Sequence, residues 1–313
     1  MNTPEDTQFN RAPLLLALGL SLALVIGVLA GAKIVANKVG RPPVSLGAVA
    51  APQGDSQECR NFVSQLPKRL LQHPRAKLAE PVQPGTAAYA SSDTQQITVR
   101  CGVEPPFQYS ELSSPVDVDG TEWLRVTDPT PGSTLETWFS INTSPVVAMT
   151  ADAVTLNDNK MPVRAVAKPL STFARAEHPT NPVPLASLAA PAASDMQCDA
   201  LMHALPDALG TAYRRVHVDT LPESSAAWTA DGMEPVVLRC GVEAPANYAP
   251  GARLNQINDI PWFHDTKLAN GTTAGTYYAL GREVNVAVNM PQNAGNAVIV
   301  TLTEAITANT KAK

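Results

Sequence analysis

The sequence predicts an α+β protein in which an N-terminal transmembrane helix precedes two similar small domains, each with one or two helices packed on an antiparallel sheet. Three observations predict this class: an uncharged apolar run, a motif that recurs after 139 residues, and a change from helical to strand-like patterning within each copy. The predicted order is a short tail (1–12), a transmembrane helix or uncleaved signal anchor (13–36), a juxtamembrane linker (37–57), a first repeat (58–172), a Pro/Ala-rich linker (173–193) and a second repeat (194–309).

The bulk composition limits the classes of function. The formal net charge is −5 over 313 residues, and the charges are spread along the chain. Nucleic-acid binding needs a basic face, so this balance argues against a nucleic-acid partner. Proline is plentiful, with 28 residues, while aromatic residues make up only 5%. This favours small domains joined by extended connectors over one large core.

The first element is an uncharged run of 19 residues at positions 14–32, rich in Leu, Ala, Val and Gly. A helix needs about 20 apolar residues to cross the hydrocarbon layer, so we expect residues 13–36 to contact the lipid bilayer. A cleaved secretory signal is the alternative, because positions 30–32 read Ala-Gly-Ala, a small-residue cleavage pattern. The retained anchor is preferred, since the run is long for a signal sequence and Glu5 and Asp6 precede it.

The orientation of this helix has conflicting signals. Lys33, Lys38 and Arg41 follow the run and only Arg11 precedes it, which by the positive-inside rule would keep the rest of the chain in the cytoplasm. The charge difference is small, however, and long domains cross membranes largely regardless of it. The cysteines favour an oxidising compartment, so we expect a single-pass cell-membrane protein with its bulk on the extracytoplasmic side.

An internal duplication follows the apolar run. The motif Arg-Cys-Gly-Val-Glu occurs at residues 100–104 and again at 239–243, an offset of 139 residues. Further matches at this offset are Cys59 with Cys198, Leu66-Pro67 with Leu205-Pro206, Leu70 with Leu209, Arg75 with Arg214, Tyr109 with Tyr248 and Trp123 with Trp262. The chain therefore contains two copies of one unit. The proline-rich segment between them, like residues 37–57, is expected to be extended and unpacked.

Each copy is expected to open with a helix and to continue with strands. Apolar residues recur at helical spacing from Cys59 to Leu70 and from Cys198 to Leu209, and the Leu-Pro pair inside each run should kink or split the helix. Val and Ile content and alternation predict strands over residues 96–101, 122–126, 137–141, 236–240, 277–280 and 284–290. A last helix is expected over residues 300–308.

Four cysteines, two in each copy, are separated by 42 residues in both. Of the three possible pairings, only Cys59 with Cys101 and Cys198 with Cys240 respects the duplication. Each bond would join the opening helix to a strand and, in the chain-entropy model, contribute about 4 kcal/mol. Buried free thiols are the alternative. A zinc site is disfavoured, because no close pair of ligands accompanies the cysteines.

The candidate binding residues are Arg239, Glu243, Trp228, Trp262 and Arg282. An arginine beside a strand cysteine could clamp a phosphate or carboxylate, although pairing with the glutamate of its own copy, as a structural contact, is the preferred interpretation. The tryptophans could line a sugar or peptide groove, although a place in the core is preferred.

Catalytic and cofactor motifs are absent from the sequence. It has no Gly-x-Ser-x-Gly turn, no Gly-x-Gly-x-x-Gly and no phosphate-binding loop. His264-Asp265 resembles a fragment of a metal phosphohydrolase motif, but a lone dipeptide is weak, and solvated surface is the preferred interpretation. We therefore expect no metal, no cofactor and no catalytic residue that the sequence can identify.

The second copy resembles an uncharacterised family known as domain of unknown function 3515. The pattern that carries the resemblance is Cys198, Leu205-Pro206, Ala227-Trp228, Leu238-Arg239-Cys240-Gly241-Val242, Pro245, Trp262, Gly281-Arg282 and Pro291. The first copy matches less well, with Tyr89 in place of tryptophan and with Thr143 and Asp152 at the positions of Arg282 and Pro291. The resemblance implies an actinobacterial envelope protein with an N-terminal membrane segment, and it implies no activity.

These observations favour a non-catalytic binding or structural module of the cell envelope, with an envelope protein or a cell-wall component as its partner. Two linked copies would gain avidity without new chemistry. The alternative is an envelope hydrolase acting on peptidoglycan or glycan through the second repeat. That alternative predicts a polar cleft around Arg282, Glu243 and His264 in one copy only.

Overall fold

A computed structural model describes residues 12–39, 42–265, 272 and 274–313 of the chain. The chain divides after Pro43 into an N-terminal unit and a compact unit from Val44 to Lys313. The helices are α1 (Ala12–Val39), α2 (Gln57–Gln65), α3 (Ala153–Leu156), α4 (Ala167–Leu170), α5 (Met196–Ala204) and α6 (Asn296–Asn309), with 3-10 turns at Pro162–Val166 and Gln292–Ala294.

Ten strands precede α5 and eight follow it in the described part of the chain. The first ten are β1 (Arg69–Leu70), β2 (His73–Pro74), β3 (Thr86–Ala90), β4 (Gln96–Val103), β5 (Val116–Val118), β6 (Thr121–Thr127), β7 (Leu135–Ser140), β8 (Thr143–Ser144), β9 (Val146–Asp152) and β10 (Ala174–Arg175). The other eight are β11 (Ala208–Leu209), β12 (Tyr213–Val216), β13 (Ser225–Ala230), β14 (Met233–Cys240), β15 (Leu254–Ile257), β16 (Ile260–Asp265), β17 (Gly275–Ala279) and β18 (Val286–Met290). The α+β class is confirmed, and each predicted strand overlaps an observed one.

The N-terminal unit is the apolar helix α1. Residues 15–33 have a mean hydropathy of 2.5, and none of their side chains is buried against protein. By length and composition this helix could cross a membrane, a property that a retained anchor and a signal sequence share. The predicted N-terminal tail lies, up to residue 11, outside the described residues.

The two repeats have the same strand order. In the second repeat the eight strands form one antiparallel sheet in the order β11-β12-β13-β14-β18-β17-β16-β15. In the first repeat β3-β4-β9-β7-β6-β5 form the sheet, and the hairpin β1-β2 joins it through a single bridge between Arg75 and Tyr89. The order is therefore identical, which supports the duplication inferred from the sequence.

Each sheet packs one face against its opening helix and against helical segments at the end of the repeat. The core of the first repeat contains Phe62, Tyr89 and Trp123, and the core of the second contains Trp228 and Trp262. All five side chains are almost completely buried. Alternation of buried and partly exposed residues along β4 shows the expected half-buried strand.

The opening helices end at the Leu-Pro pair. Ser56 and Asp195 cap their N-termini with side-chain oxygens, as short polar residues do at this position. The last helical residues are Gln65 and Ala204, because a residue that precedes proline is disfavoured in the helical region. The prediction that these helices continue to Leu70 and Leu209 is therefore wrong, since both leucines lie in short strands.

The proline-rich segments before the repeats, residues 44–56 and 183–195, are packed, so the prediction of unpacked linkers is wrong over residues 44–56 and 183–193. We call these segments the first strap (44–56) and the second strap (183–195). Val44 packs on Ala88 and Ala90 of β3. Val183, at the equivalent position, packs in a cluster that contains Ala227 of β13. The straps are thus the first part of each repeat.

Both repeats and both straps belong to one compact unit, so the expectation of small domains joined by extended connectors is also wrong. A second correction concerns register. Arg75 pairs with Tyr89, whereas the residue that pairs with Trp228 is Arg215. Arg75 therefore corresponds to Arg215, because the β11-β12 turn is one residue longer than the β1-β2 turn and the next loop compensates.

Candidate functional site

Both predicted disulfides are present. Cys59 bonds to Cys101 and Cys198 to Cys240, with Cα atoms 5.4 Å and 5.5 Å apart, and the chain has no free cysteine. Each bond joins the first turn of the opening helix to the end of a central strand. The Arg-Cys-Gly motif therefore lies where helix, sheet and strap meet in each repeat.

The glycine of this motif allows the strap to approach the sheet. Gly102 and Gly241 have φ angles of 82° and 74°, a region that favours glycine. A Cβ atom on Gly102 would lie 2.3 Å from the backbone of Gln53, and one on Gly241 would lie 2.4 Å from that of Ala192. The amide of each of these strap residues donates to the carbonyl of the glycine that it faces, at 3.2 Å in both copies.

The arginine of the motif holds the strap. Arg239 donates to the carbonyl oxygens of Leu185, Ala186 and Leu188, at 2.6–3.1 Å. Arg100 donates to the carbonyl of Gly47 at 2.8 Å and to the side chain of Gln83 at 3.0 Å. The predicted ion pairs with Glu104 and Glu243 are absent among the described contacts, and both glutamates are exposed. Arg239 is therefore a structural residue rather than a ligand clamp.

The predicted tryptophans belong to the core. Trp228 and Trp262 are both 0% exposed, so neither can line a groove. The indole N–H of Trp228 donates to the carbonyl of Pro206 at 2.8 Å, and that of Trp262 donates to Thr303 at 3.1 Å. Tyr89, which replaces tryptophan in the first repeat, donates to the carbonyl of Pro67 at the same distance as Trp228 to Pro206. The two copies thus keep one hydrogen bond with different side chains.

The three residues predicted to line a hydrolase cleft, Arg282, Glu243 and His264, make separate contacts. Arg282 is 9% exposed and donates to the Thr307 carbonyl and to Thr310 at the end of α6. His264 stacks on Tyr277 with ring centroids 4.4 Å apart, while Glu243 is exposed. No described hydrogen bond or ion pair joins any two of these three residues.

The two repeats meet along a seam made by β6 of the first and the β13-β14 turn of the second. The amide and the hydroxyl of Thr127 both donate to the carbonyl of Gly232, at 2.7 Å and 2.8 Å. Arg125 donates to the carboxylate of Asp231 at 2.6 Å. A Cβ atom on Gly232 would lie 2.9 Å from the Nε atom of Arg125, so glycine allows this close contact.

A cleft of about 370 Å³ lies at this seam, and we call it the seam cleft. Its lining is mainly apolar and also includes two arginines and two carboxylates. Its lining residues include, from the first repeat, Gln108, Leu112, Ser114, Val116, Leu124, Arg125, Val126 and Trp138, and, from the second, Ala212, Arg214, Ala230, Asp231, Met233 and Glu234.

The carboxylate of Glu234 lies at the edge of the seam cleft and already has donors. Gln108 donates to it at 3.0 Å, and the hydroxyl of Thr272 donates to its other oxygen. Tyr213 of β12 is buried, and burial and then the negative charge of Glu234 raise the pKa of its phenol. Tyr213 therefore stays neutral at physiological pH and donates to the Glu234 carbonyl at 3.1 Å.

A wider polar hollow lies in the first repeat around Tyr109, Glu122, Glu177 and His178. Burial, and then the charges of the two glutamates, raise the pKa of Tyr109. His178 has one ring nitrogen 2.9 Å from the carbonyl of Thr143. The described residues contain no group of three or more His, Cys, Asp or Glu that could hold a metal ion.

The sequence does not identify the seam cleft. Of its charged residues, Arg125, Asp231 and Glu234 have no counterpart of the same type at the 139-residue offset. Arg214 aligns with Arg75 at that offset, but in the structure Arg75 corresponds to Arg215. The repeat pattern therefore does not mark this cleft. The cleft exists only because the straps and seam hold the repeats together, whereas the proline-rich composition indicated separate domains. A contact between distant parts of a chain leaves no spacing signal in one sequence.

Comparison with known proteins gives a family but no activity. No curated protein and no solved structure matches the chain. A family model described as "Protein of unknown function (DUF3515)" matches twice, over residues 18–178 and 170–313. The second match includes the whole second strap, in agreement with its place in the repeat. The chain therefore belongs to the DUF3515 family and contains two copies of its domain.

Proposed function

We propose that this protein is a membrane-anchored, extracytoplasmic binding module of the cell envelope, and that the seam cleft is its ligand site. The observation that carries the proposal is the seam cleft itself, a mainly apolar hollow between two disulfide-closed repeats. Its volume falls in the range of about 300–1,000 Å³ that is typical of ligand pockets, which often lie between domains.

The residues around the cleft favour binding over chemistry. None of its described lining residues is a histidine or cysteine, and the Arg-Cys-Gly motif is occupied with structural contacts in both repeats. A nucleophile needs a base within hydrogen-bond reach, and the described lining offers no such pair. The proposal therefore assigns recognition to the cleft and assigns rigidity to the motif.

The proposed compartment rests on the two disulfides and on α1. Disulfides persist in oxidising environments outside the cytoplasm, and an apolar helix of this length can hold a chain at a membrane. Together they support an anchored protein whose repeats lie outside the cytoplasm. An envelope protein or a cell-wall component remains the proposed class of partner.

The test is the accessibility of the cleft in intact cells. Ser114 lines the cleft and is exposed, so the variant Ser114→Cys carries one free thiol there. A membrane-impermeant maleimide should label this variant in intact spheroplasts, and the wild-type chain should stay unlabelled until it is denatured and reduced. Labelling only after the cells are lysed, or four reduced thiols in the wild-type chain, would contradict the proposal. If the cells release the repeats cleaved from α1, only the proposal of a retained membrane anchor is contradicted.

A further inference from the structure

The seam cleft has an apolar interior that polar ligands would not match. Its lining includes the buried Leu112 and Leu124, the exposed Val116 of the edge strand β5 and, from the second repeat, Met233. Apolar surface of this kind favours an apolar group by about 25 cal/mol for each Å² removed from water. The interior therefore suits a short hydrocarbon body.

The carboxylates at the cleft already accept hydrogen bonds. Asp231, although 83% exposed, pairs with Arg125. Glu136 accepts from Arg125 and from the indole of Trp138. Glu234 accepts from Gln108 and Thr272. A cationic ligand would therefore have to compete with existing donors for each of these groups.

Arg214 is the cation at the rim that lacks such a partner. Its side chain is exposed and its guanidinium donates at 2.9 Å to the carbonyl of the adjacent Tyr213. It makes no ion pair with any residue in the described part of the chain. A guanidinium has five N–H donors in a planar fork that fits a carboxylate or phosphate. Several of these donors are free to bind an anion at the mouth of the cleft.

We propose that the seam cleft binds an amphipathic anion, with a short alkyl chain in the apolar interior and a carboxylate or phosphate head group on Arg214. This inference rests on the proposed function and names the ligand class of the same site. The two parts of the ligand match the two parts of the cleft: hydrocarbon meets Leu112, Val116, Leu124 and Met233, and negative charge meets the guanidinium of Arg214. The free donors of Arg214 thus favour an anion over a cation of equal length.

The experiment is calorimetric titration of the full-length chain in nanodiscs of zwitterionic lipid, with empty nanodiscs as the blank. The probes are octanoate, octyltrimethylammonium and octanol, which share a chain length and differ in head-group charge. Octanoate should bind saturably and at least tenfold more tightly than octyltrimethylammonium. Equal affinity for the two ions, or no saturable binding of octanoate, would overturn the proposal.

Three variants locate the site. Arg214→Gln should weaken octanoate binding about tenfold, because a charge-assisted hydrogen bond is lost, and should leave octanol binding unchanged. Met233→Trp should fill the cleft and abolish binding of both. Arg253→Gln, which removes an exposed arginine that does not line the cleft, is the matched control and should bind octanoate as the wild type does. An unchanged affinity in Arg214→Gln would contradict the assignment of the head group.

Two further readouts separate the causes of failure. Each variant is checked for folding by its disulfides, which should resist alkylation until reductant is added. Nanodiscs that contain phosphatidylglycerol should compete with octanoate if the natural anion is a membrane lipid, and should not compete if it is a free amphiphile. A cleft that is labelled from outside the cell but binds no octanoate would refute the ligand class alone. Octanoate binding without external labelling would refute the compartment alone.

Discussion

The first and second repeats cover the same face of the sheet with different secondary structure at their C-terminal ends. The second repeat uses one helix of 14 residues, α6, which buries Val298, Leu302 and Ile306. The first repeat has a short helix, a 3-10 turn and another short helix at this place, and it buries Leu156, Val163, Val166 and Leu170. Pro162 and Pro169 lie inside the broken segment, and proline interrupts helical hydrogen bonding.

This difference shows which part of the unit tolerates change. Helix geometry at the end of the repeat differs, whereas the disulfides, with Cα atoms 5.4 Å and 5.5 Å apart, and the hydrogen bonds from strap to glycine, 3.2 Å in both copies, agree closely. The seam residues also differ between the copies: Arg125 corresponds to His264, and Met233 corresponds to Thr94. The four predictions below compare the contacts that both repeats share with those at the seam.

Removal of a disulfide should have the largest effect, and it should be equal in the two repeats. The variants are Cys59→Ala with Cys101→Ala, and Cys198→Ala with Cys240→Ala. Both bonds close loops with a sequence separation of 42, so each removal should lower the free energy of unfolding by about 4 kcal/mol in the chain-entropy model. Guanidinium unfolding of the full chain in detergent measures this. A difference of more than about 2 kcal/mol between the two pairs would show that the repeats do not use their disulfides alike.

A methyl group on the motif glycine should have the next largest effect. Gly102→Ala and Gly241→Ala each place a Cβ atom within 2.4 Å of strap backbone, and each alanine has to adopt a positive φ. Each variant should therefore lower the free energy of unfolding by about 3 kcal/mol. Gly281→Ala is the control, because its φ is 75° but nothing lies within 4 Å of the added atom. It should cost only about 1 kcal/mol from backbone strain. Equal losses in all three variants would mean that the strap does not press on the sheet.

The sequence predicts the repeated parts of this molecule better than the unique ones. The pairing of Cys59 with Cys101 and the strand at residues 96–101 follow from matched spacing and alternation. The sequence does not predict that the straps are packed, because their proline and alanine content is typical of a linker. Val44 and Val183 nevertheless occupy the same buried position in the two copies. The candidate residues Trp228, Trp262, Arg239 and Arg282 contribute to the core, the strap and α6. Which polar residue faces a cleft depends on tertiary packing that no local pattern encodes.

Loss of the motif arginine should affect the second repeat more than the first. Arg239 satisfies three strap carbonyls, so Arg239→Met should lower the free energy of unfolding by about 3 kcal/mol. Arg100 satisfies one strap carbonyl and one side chain, so Arg100→Met should lower it by about 1–2 kcal/mol. Amide hydrogen exchange should rise at residues 185–195 in the first variant and at residues 47–54 in the second. An equal loss would argue that a single carbonyl contact carries most of the effect.

The ion pair across the seam should have the smallest effect. Asp231 is 83% exposed, while Arg125 also pairs with Glu136 inside the first repeat. An exposed pair of this kind contributes about 0.2–1 kcal/mol, and Asp231→Asn should therefore change stability by less than about 1 kcal/mol. Arg125→Gln should lower the free energy of unfolding more, because it also removes the ion pair between Arg125 and Glu136.

A double-mutant cycle of Asp231→Asn and Arg125→Gln isolates the coupling across the seam from the contact with Glu136. The coupling should weaken as salt is raised, because the pair lies in solvent. The hydrogen bonds from Thr127 to the carbonyl of Gly232 do not depend on charge, so they should hold the seam at high salt. A salt-insensitive coupling above about 1.5 kcal/mol would show that Asp231 is a principal contact between the repeats rather than an accessory one.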